Sequence, residues 1–192
     1  MTGAGPVAPD LNGLRTLLHG AQTLGGPIGT TLALCIICGC LPFEIIGLRL
    51  EHIDWDNSIA PVPARNARGV RYLGLSNAAQ QLIARTAGTH RGGGQVVTAG
   101  RGTPLTKAQV RLDRVREQLG QASTATLHVA WNYHGIRVAC ANAMRDAGIA
   151  AEKIDLLLHG WANNPHAQMP TFPICLPAER WWQILNPNAP RK

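Results

Sequence analysis

A long apolar segment near the start of the chain is the feature that most limits how this protein can fold. From residue 32 to residue 46, a run of apolar side chains is interrupted at Gly39, Pro42 and Glu44. Such a run must be buried, and its interruptions divide it into a helix over about 30–38 and a second helix with Pro42 in its first turn. The run is too short and too often interrupted to cross a bilayer. We therefore predict a buried central helix inside a globular domain, which 192 residues are enough to build.

Two of the five cysteines, Cys35 and Cys38, form a C-x-x-C pair inside this segment. The spacing is compatible with zinc binding or thiol redox chemistry. However, no second Cys/His pair has ligand spacing, and a free cysteine in an apolar run is usually a small core residue. We interpret both as core thiols and expect a reducing, cytoplasmic environment. The first ten residues also lack the basic and apolar regions of a secretory signal.

Hydrophobic periodicity predicts that helices dominate the rest of the chain. Apolar residues at helical spacing predict helices over 11–24, 136–148 and 154–161, and a last amphipathic stretch over 179–185. Ser76 is expected to cap a further helix. The residues from Thr106 to Gln109 match a capping box that would open another one.

Between these helices, the pattern predicts a small antiparallel sheet. Residues 53–62 are interpreted as a strand pair with a turn at 56–58, and residues 64–75 as a hairpin strand around 66–69. A short strand is expected at 95–97, inside a glycine-rich loop. The fold class is therefore α+β, mainly helical with a small antiparallel hairpin.

The charge of the chain favours a nucleic-acid partner without deciding it. Lys and Arg number 18 against 11 Asp and Glu, giving a net charge of +7, and only Lys107, Lys153 and Lys192 are lysines. Arginine forks match phosphate oxygens. A solvated arginine surface explains the same charge equally well.

The most specific local motif is His134-Gly-Ile-Arg137. Positions three apart share one helical face, so an imidazole and a guanidinium could hold one phosphate between them. Taken alone, the motif is common, and a helix-surface pair without function is the better interpretation.

The order of several motifs resembles the catalytic domain of the tyrosine recombinases, the phage integrase family. The likeness begins with CGCLPFEIIGLRLEHIDWDN at 38–57 and continues through RYLGLS at 71–76, GTPLT at 102–106 and VRLDR at 110–114. It then reaches His134-x-x-Arg137, IDLLLHGW at 154–161 and AERWW at 178–182. The collinear match spans roughly residues 10–185.

The resemblance implies DNA cleavage by a tyrosine that forms a 3′-phosphotyrosyl link, with neither a metal nor another cofactor. It places Arg137 at the second catalytic arginine, His134 at the histidine before it, and Trp161 at the family's His/Trp position. His159 is an alternative for that last position, and Trp161 could also be a core residue.

Two departures from the family pattern are severe. The first catalytic arginine falls on Leu41, which cannot donate to a phosphate, and such a loss removes a large part of transition-state stabilisation. The nucleophile position falls on Pro170, which has no hydroxyl. The hairpin lysine position falls near Arg65, Asn66 or Arg68, and arginine is a poor general acid.

We therefore expect a DNA-binding, integrase-like protein related to site-specific recombination and DNA integration, whose catalysis is impaired. Double-stranded DNA is the expected partner, held by arginines on the hairpin and on the helix after residue 106: Arg65, Arg68, Arg71, Arg111 and Arg114.

Several alternatives stay open. The chain could be an active recombinase with a displaced nucleophile, such as Tyr133 or Thr171. It could be an interaction module that docks onto another recombinase protomer through the C-terminal helix, with Trp181 and Trp182 as anchors. It could also be a decaying remnant of a mobile element.

The resemblance also implies a domain organisation. Residues 10–185 are expected to form the integrase-like domain, with flexible ends at 1–9 and 186–192. The N-terminal domain with which family members close around DNA is expected to be absent, and no membrane association is expected.

Overall fold

The computed structural model of the chain describes residues 8–63, 70–87, 94–99, 102–158 and 175–188. The predicted flexible ends therefore fall largely outside the described residues. Within these ranges the elements follow in the order α1 (Leu11–Leu24), α2 (Gly26–Cys38), α3 (Pro42–Ile46), β1 (Ile59–Pro63), β2 (Val70–Gly74), α4 (Asn77–Ala87), α5 (Leu112–Ala122), α6 (Tyr133–Asp146), α7 (Ala151–Leu158) and α8 (Cys175–Leu185). This arrangement confirms the mainly helical α+β class with a small antiparallel sheet.

Helix α2 is the centre of the domain. It is apolar on nearly all sides, and every residue from Thr31 to Cys38 is buried, which confirms that Cys35 and Cys38 are core residues. Gly39 ends the helix in the left-handed conformation, with φ of 61°. A Cβ at this position would run into the side chain of Leu158, so only glycine fits both the backbone angle and the space.

Five helices pack around α2: α1, α3, α4, α6 and α8. Helix α1 starts where the Asp10 carboxylate accepts the N–H of Gly13 at 2.7 Å, and α6 starts where the Asn132 side chain accepts the N–H of Gly135 at 2.6 Å. These side-chain caps fix where the two helices begin, and the apolar stripe of each then faces α2.

Helix α8 covers the core of its own chain. Trp181 is 1% exposed, and its indole N–H donates to the carbonyl of Ile36 in α2 at 3.2 Å. The last carbonyls of α8, those of Ile184 and Leu185, accept Arg15 Nη2 at 2.8 Å and Nε at 3.1 Å. A cation at a helix C-terminus satisfies exposed carbonyls and opposes the helix dipole. Thus α1 and α8 are joined directly.

Within the described residues the sheet is a single antiparallel pair, which agrees with the hairpin expected around 66–69 but not with the other expected strand pair. Strands β1 and β2 pair from Ile59 opposite Gly74 to Pro63 opposite Val70. The strand pair expected within 53–62 is wrong, because Asp54 only forms an isolated bridge with Ile59. The Asp54 carboxylate accepts the backbone N–H of Asn57 at 3.0 Å and closes a tight turn, so 59–63 is left to pair with 70–74.

Two further local expectations are also corrected. Residues 95–97 form no strand, since Gln95 makes only an isolated bridge to Arg49. The N–H of Thr106 does donate to Gln109 Oε1 at 2.8 Å, but this contact closes a turn, and α5 begins later, at Leu112. Across the described part of the chain, no helix combines the length and apolarity that a membrane span requires.

Candidate functional site

Helix α3 carries an acidic side chain into the interior. Glu44 lies in its first turn, and the carboxylate Oε2 accepts the backbone N–H of Leu41, just before the helix, at 2.6 Å. This bond satisfies one of the donors that the start of a helix leaves exposed. The Glu44 side chain is only 2% exposed. A carboxylate this deeply buried needs a cation beside it.

Arg71 of β2 is that cation. Its Nε donates to Glu44 Oε1, its Nη2 donates to Glu44 Oε2 at 3.1 Å, and its Nη1 donates to the carbonyl of Leu157 at 3.1 Å. The prediction that Arg71 contacts the DNA backbone is therefore wrong. The side chain is 2% exposed, and protein acceptors in the core occupy all three guanidinium nitrogens. Instead, Arg71 joins β2 to α3 and to the last turn of α7.

The start of α6 contributes the second guanidinium. Arg137 Nη1 lies 4.0 Å from Glu44 Oε2, and the Arg137 side chain is 12% exposed. His134, three positions earlier, is exposed. Positions three apart lie on one helical face. Helix α6 therefore holds an imidazole at the surface and, on the same face, a guanidinium placed more deeply against Glu44.

Leu41 is the fifth residue of a group that also contains Glu44, Arg71, His134 and Arg137, which we call the Glu44 cluster. Leu41 is half-buried at the start of α3, and its N–H is bound to Glu44. The family pattern has an arginine at this position, but the leucine side chain has no hydrogen-bond donor. An apolar group therefore stands next to the buried ion pair.

The charges of the cluster do not cancel. Among the described residues, one carboxylate, that of Glu44, lies beside two guanidinium groups, those of Arg71 and Arg137, and the formal charges of these three groups sum to +1. Electrostatic attraction is strengthened where the surroundings are apolar and water is limited. The arrangement can bind an anionic oxygen such as that of a phosphodiester, with Arg137 as the fork and His134 as an additional donor.

Of the remaining predicted residues, two lie in the described part of the chain. Arg111 and Arg114 are exposed at the start of α5. Arg111 pairs with Asp113 at 3.0 Å, and the hydrogen bond from its guanidinium lowers the pKa of Asp113. Four others lie outside the described residues: Arg65, Arg68, Trp161 and Pro170.

The alternative nucleophile Tyr133 is held by the protein itself. It is partly buried, and its hydroxyl donates to the carbonyl of Val110 at 3.0 Å. Burial raises the pKa of Tyr133 well above its usual range. A phenol that is bound and hard to ionise is a poor nucleophile.

Sequence reasoning noted a glutamate in this segment but did not assign Glu44 a role. A signal was present, since one acidic residue interrupts the apolar run at 32–46. Charged side chains are almost never fully buried unless they are paired. The interruption therefore indicates a buried partner, although it does not say which of the arginines that partner is.

Known structures have the same architecture. A crystal structure of XerA recombinase is similar to this chain with a TM-score of 0.65 at 14% identity, over 84% of this chain and 57% of that one. A lambda integrase dimer bound to a COC′ core site gives a TM-score of 0.61 at 11% identity, over 88% of this chain and 63% of that one. The integrase from mycobacterium phage Brujita gives 0.59 at 14% identity, over 100% of this chain and 61% of that one.

These similarities concern the fold, and the chain spans about three fifths of the length of each of these proteins. Among curated protein sequences, none matches this chain. The sequence model of the phage integrase family matches residues 12–169, which include α1 except for its first residue, α2 to α7, and all five residues of the Glu44 cluster. The chain therefore belongs to the phage integrase family, and its fold is that of a tyrosine recombinase catalytic domain.

Proposed function

We propose that this domain binds duplex DNA through backbone phosphates, as part of a system of site-specific recombination or DNA integration, and that it does not cut the strand itself. The observation that carries the proposal is the composition of the Glu44 cluster. Arg137 and His134 can hold a phosphate on a site of net positive charge. At Leu41, by contrast, the site offers an apolar side chain where cleavage requires a further charged donor.

Membership of the family supports the DNA-binding half of this proposal. Lambda integrase, which is similar in fold, has been crystallised bound to DNA and as a dimer bound to a core site. Arg111 and Arg114 are exposed and would add phosphate contacts. Arg65 and Arg68, which lie outside the described residues, stay further candidates for such contacts. Such contacts position a protein on DNA without reading its sequence.

Binding is tested by fluorescence anisotropy with a labelled duplex at several salt concentrations. Arg137→Met is expected to weaken binding by about tenfold and to reduce the slope of log K against log salt by about one, because one phosphate contact is lost. Arg145→Met is the matched control, since Arg145 is an exposed arginine near the other end of the same helix. Equal affinities for the wild type and for Arg137→Met would contradict the proposal.

The absence of cleavage is tested with a nicked suicide substrate, which traps a covalent protein–DNA adduct. We expect no adduct from the wild type, because the nucleophile position falls on Pro170. An adduct would show an active recombinase instead, and the variants Tyr133→Phe and Thr171→Ala would then locate its nucleophile.

We also propose a second protomer on the same DNA as a protein partner, as in the dimeric lambda integrase complex. Trp181 is not an anchor for that contact, since α8 buries it against its own chain. Sedimentation of the protein with duplexes of one and two site lengths is the test. Two protomers should bind the longer duplex cooperatively, and independent binding would contradict this part of the proposal.

A further inference from the structure

We propose that Arg71 is a positioning residue for the phosphate site: by neutralising Glu44, it keeps that carboxylate from cancelling the positive charge of Arg137. This inference rests on the proposed function, because it assigns a role to Arg71 in phosphate binding. Arg71 does not itself touch the phosphate in this proposal, since it is 2% exposed and its nitrogens bind Glu44 and Leu157.

The two oxygens of Glu44 are shared unequally between the two arginines. Oε1 accepts Arg71 Nε, while Oε2 accepts both Arg71 Nη2 at 3.1 Å and the Leu41 N–H at 2.6 Å. Arg137 Nη1 is farther away, at 4.0 Å from Oε2. Arg71 thus makes two hydrogen bonds to the Glu44 carboxylate, whereas Arg137 makes only a longer ionic contact with it.

Without Arg71, the Glu44 carboxylate would lose the cation that neutralises it. Glu44 is 2% exposed, so its charge cannot be compensated by water. Arg137 is the nearest remaining cation of the cluster, and a buried carboxylate beside a single guanidinium forms a close, paired contact with it. The local charge would fall from +1 to zero, and a phosphate would then have to compete with Glu44 for the Arg137 guanidinium.

Arg71 also fixes the geometry of the site. Its contact with the Leu157 carbonyl ties β2 to the end of α7, while its contact with Glu44 ties β2 to α3. The Glu44 carboxylate is therefore held both by its own helix, α3, and by β2. Its distance from Arg137 is set by the fold rather than by a flexible side chain.

The test separates charge from packing with three variants. Arg71→Met removes the cation and leaves Glu44 charged. Glu44→Gln/Arg71→Met removes both charges and keeps the side-chain sizes similar, so that the charge of Glu44 no longer acts on Arg137. Arg71→Lys keeps the charge but loses the planar fork. Circular dichroism and thermal unfolding establish which variants are folded.

In duplex titrations, Arg71→Met is expected to bind about tenfold more weakly than the wild type, with a salt slope lower by about one. The double variant is expected to regain most of the affinity and the slope, and Arg71→Lys is expected to lose little. A purely structural role predicts the opposite, since the double variant would then bind no better than Arg71→Met. If Arg71→Met does not fold, a double variant that binds at least tenfold more weakly than the wild type contradicts the inference, and near wild-type binding supports it.

A second readout does not depend on DNA. Phenylglyoxal modifies accessible arginines, and peptide mass spectrometry follows the rate at Arg137 alone, with Arg145 as an internal reference. The rate at Arg137 is expected to fall severalfold in Arg71→Met and to recover in the double variant. If Arg71→Met does not fold, a rate at Arg137 in the double variant at or above that of the wild type supports the inference, and a slower rate contradicts it.

These two readouts distinguish the failures. An unchanged rate at Arg137 in folded Arg71→Met overturns the inference even if the wild type binds DNA. A wild type that binds no DNA, but shows the expected changes in the Arg137 rate, overturns the proposed function and leaves the role of Arg71 toward Arg137 supported.

Discussion

Arg71 and Glu44 form an ion pair that is buried on both sides and joins the return strand of the hairpin to the start of α3. Arg71 Nη2 lies 3.1 Å from Glu44 Oε2, and each side chain is 2% exposed. The pair is 27 residues apart in the sequence, so it is a tertiary contact rather than a local one.

The buried pair makes Glu44→Ala a severe change. Removing the carboxylate leaves the Arg71 guanidinium uncompensated in the core, and we expect the free energy of unfolding to fall by about 3–5 kcal/mol. Asp113→Ala is the control, because it breaks the Arg111–Asp113 pair, whose side chains are 68% and 64% exposed. Its expected cost is below about 1 kcal/mol. Urea unfolding of both variants checks the prediction, and equal losses would contradict it.

Restoring a donor at Leu41 should strengthen phosphate binding. Leu41→Arg places a guanidinium beside the cluster, and a charged hydrogen bond to phosphate should tighten duplex binding by about tenfold. Leu41→Met is the control for the change of side-chain shape. Anisotropy titrations measure the effect, and the suicide substrate should still give no adduct, since the nucleophile position remains proline. Equal affinity for both variants would show that the Leu41 position does not face the bound phosphate.

Helix α8 should be a stability element of its own domain. Trp181→Ala removes a buried indole and its hydrogen bond to Ile36, and we expect a loss of about 3–5 kcal/mol of unfolding free energy. Leu176→Ala, in the same helix but 61% exposed, should cost less than about 0.5 kcal/mol. Thermal and urea unfolding compare them. A Trp181→Ala variant as stable as the wild type would mean that α8 does not pack on its own core.

Thiol reactivity should report the burial of α2. Cys35, Cys38, Cys40 and Cys140 are buried, and burial raises the pKa of Cys35 and of Cys38 above its usual value. Less thiolate is present at any given pH, so these cysteines should be unreactive in the native protein. Cys175 is half-buried and should react first. Titration with a disulfide reagent at pH 8, with and without urea, should show one fast thiol in the native state and five in urea.

Local patterns predicted those helices whose signals lie within one segment of the chain. Helices α1, α2 and α6 appear where apolar spacing and their flanking residues place them, because helical periodicity is a property of neighbouring positions. The hairpin expected around 66–69 agrees with the pairing of β1 with β2, but the strand pair expected within 53–62 was not found, since strand partners depend on which segments remain available after Asp54 closes its turn.

The roles of the individual arginines could not be predicted either, because their partners are also distant in the sequence. The number of arginines suggested a phosphate-binding surface, but several of them stabilise the fold instead. Arg15 and Arg180 bind carbonyls at helix ends, Arg71 neutralises Glu44, and Arg116 donates to the Trp131 carbonyl and lies 5.5 Å from the centre of its ring. Sequence spacing cannot separate these roles, because each acceptor lies at least 15 residues away.

The contact between Arg15 and the last carbonyls of α8 has a consequence for anything attached to this domain. Helices α1 and α8 are joined by these hydrogen bonds, and Ala8 and Ile184 line the same groove. The two ends of the described domain therefore lie close together. A further domain fused at either end would thus start from one side of the molecule. Because the two ends lie close together, a short linker can connect them. New ends can then be made elsewhere in the chain, which gives a circular permutant whose phosphate site is unchanged.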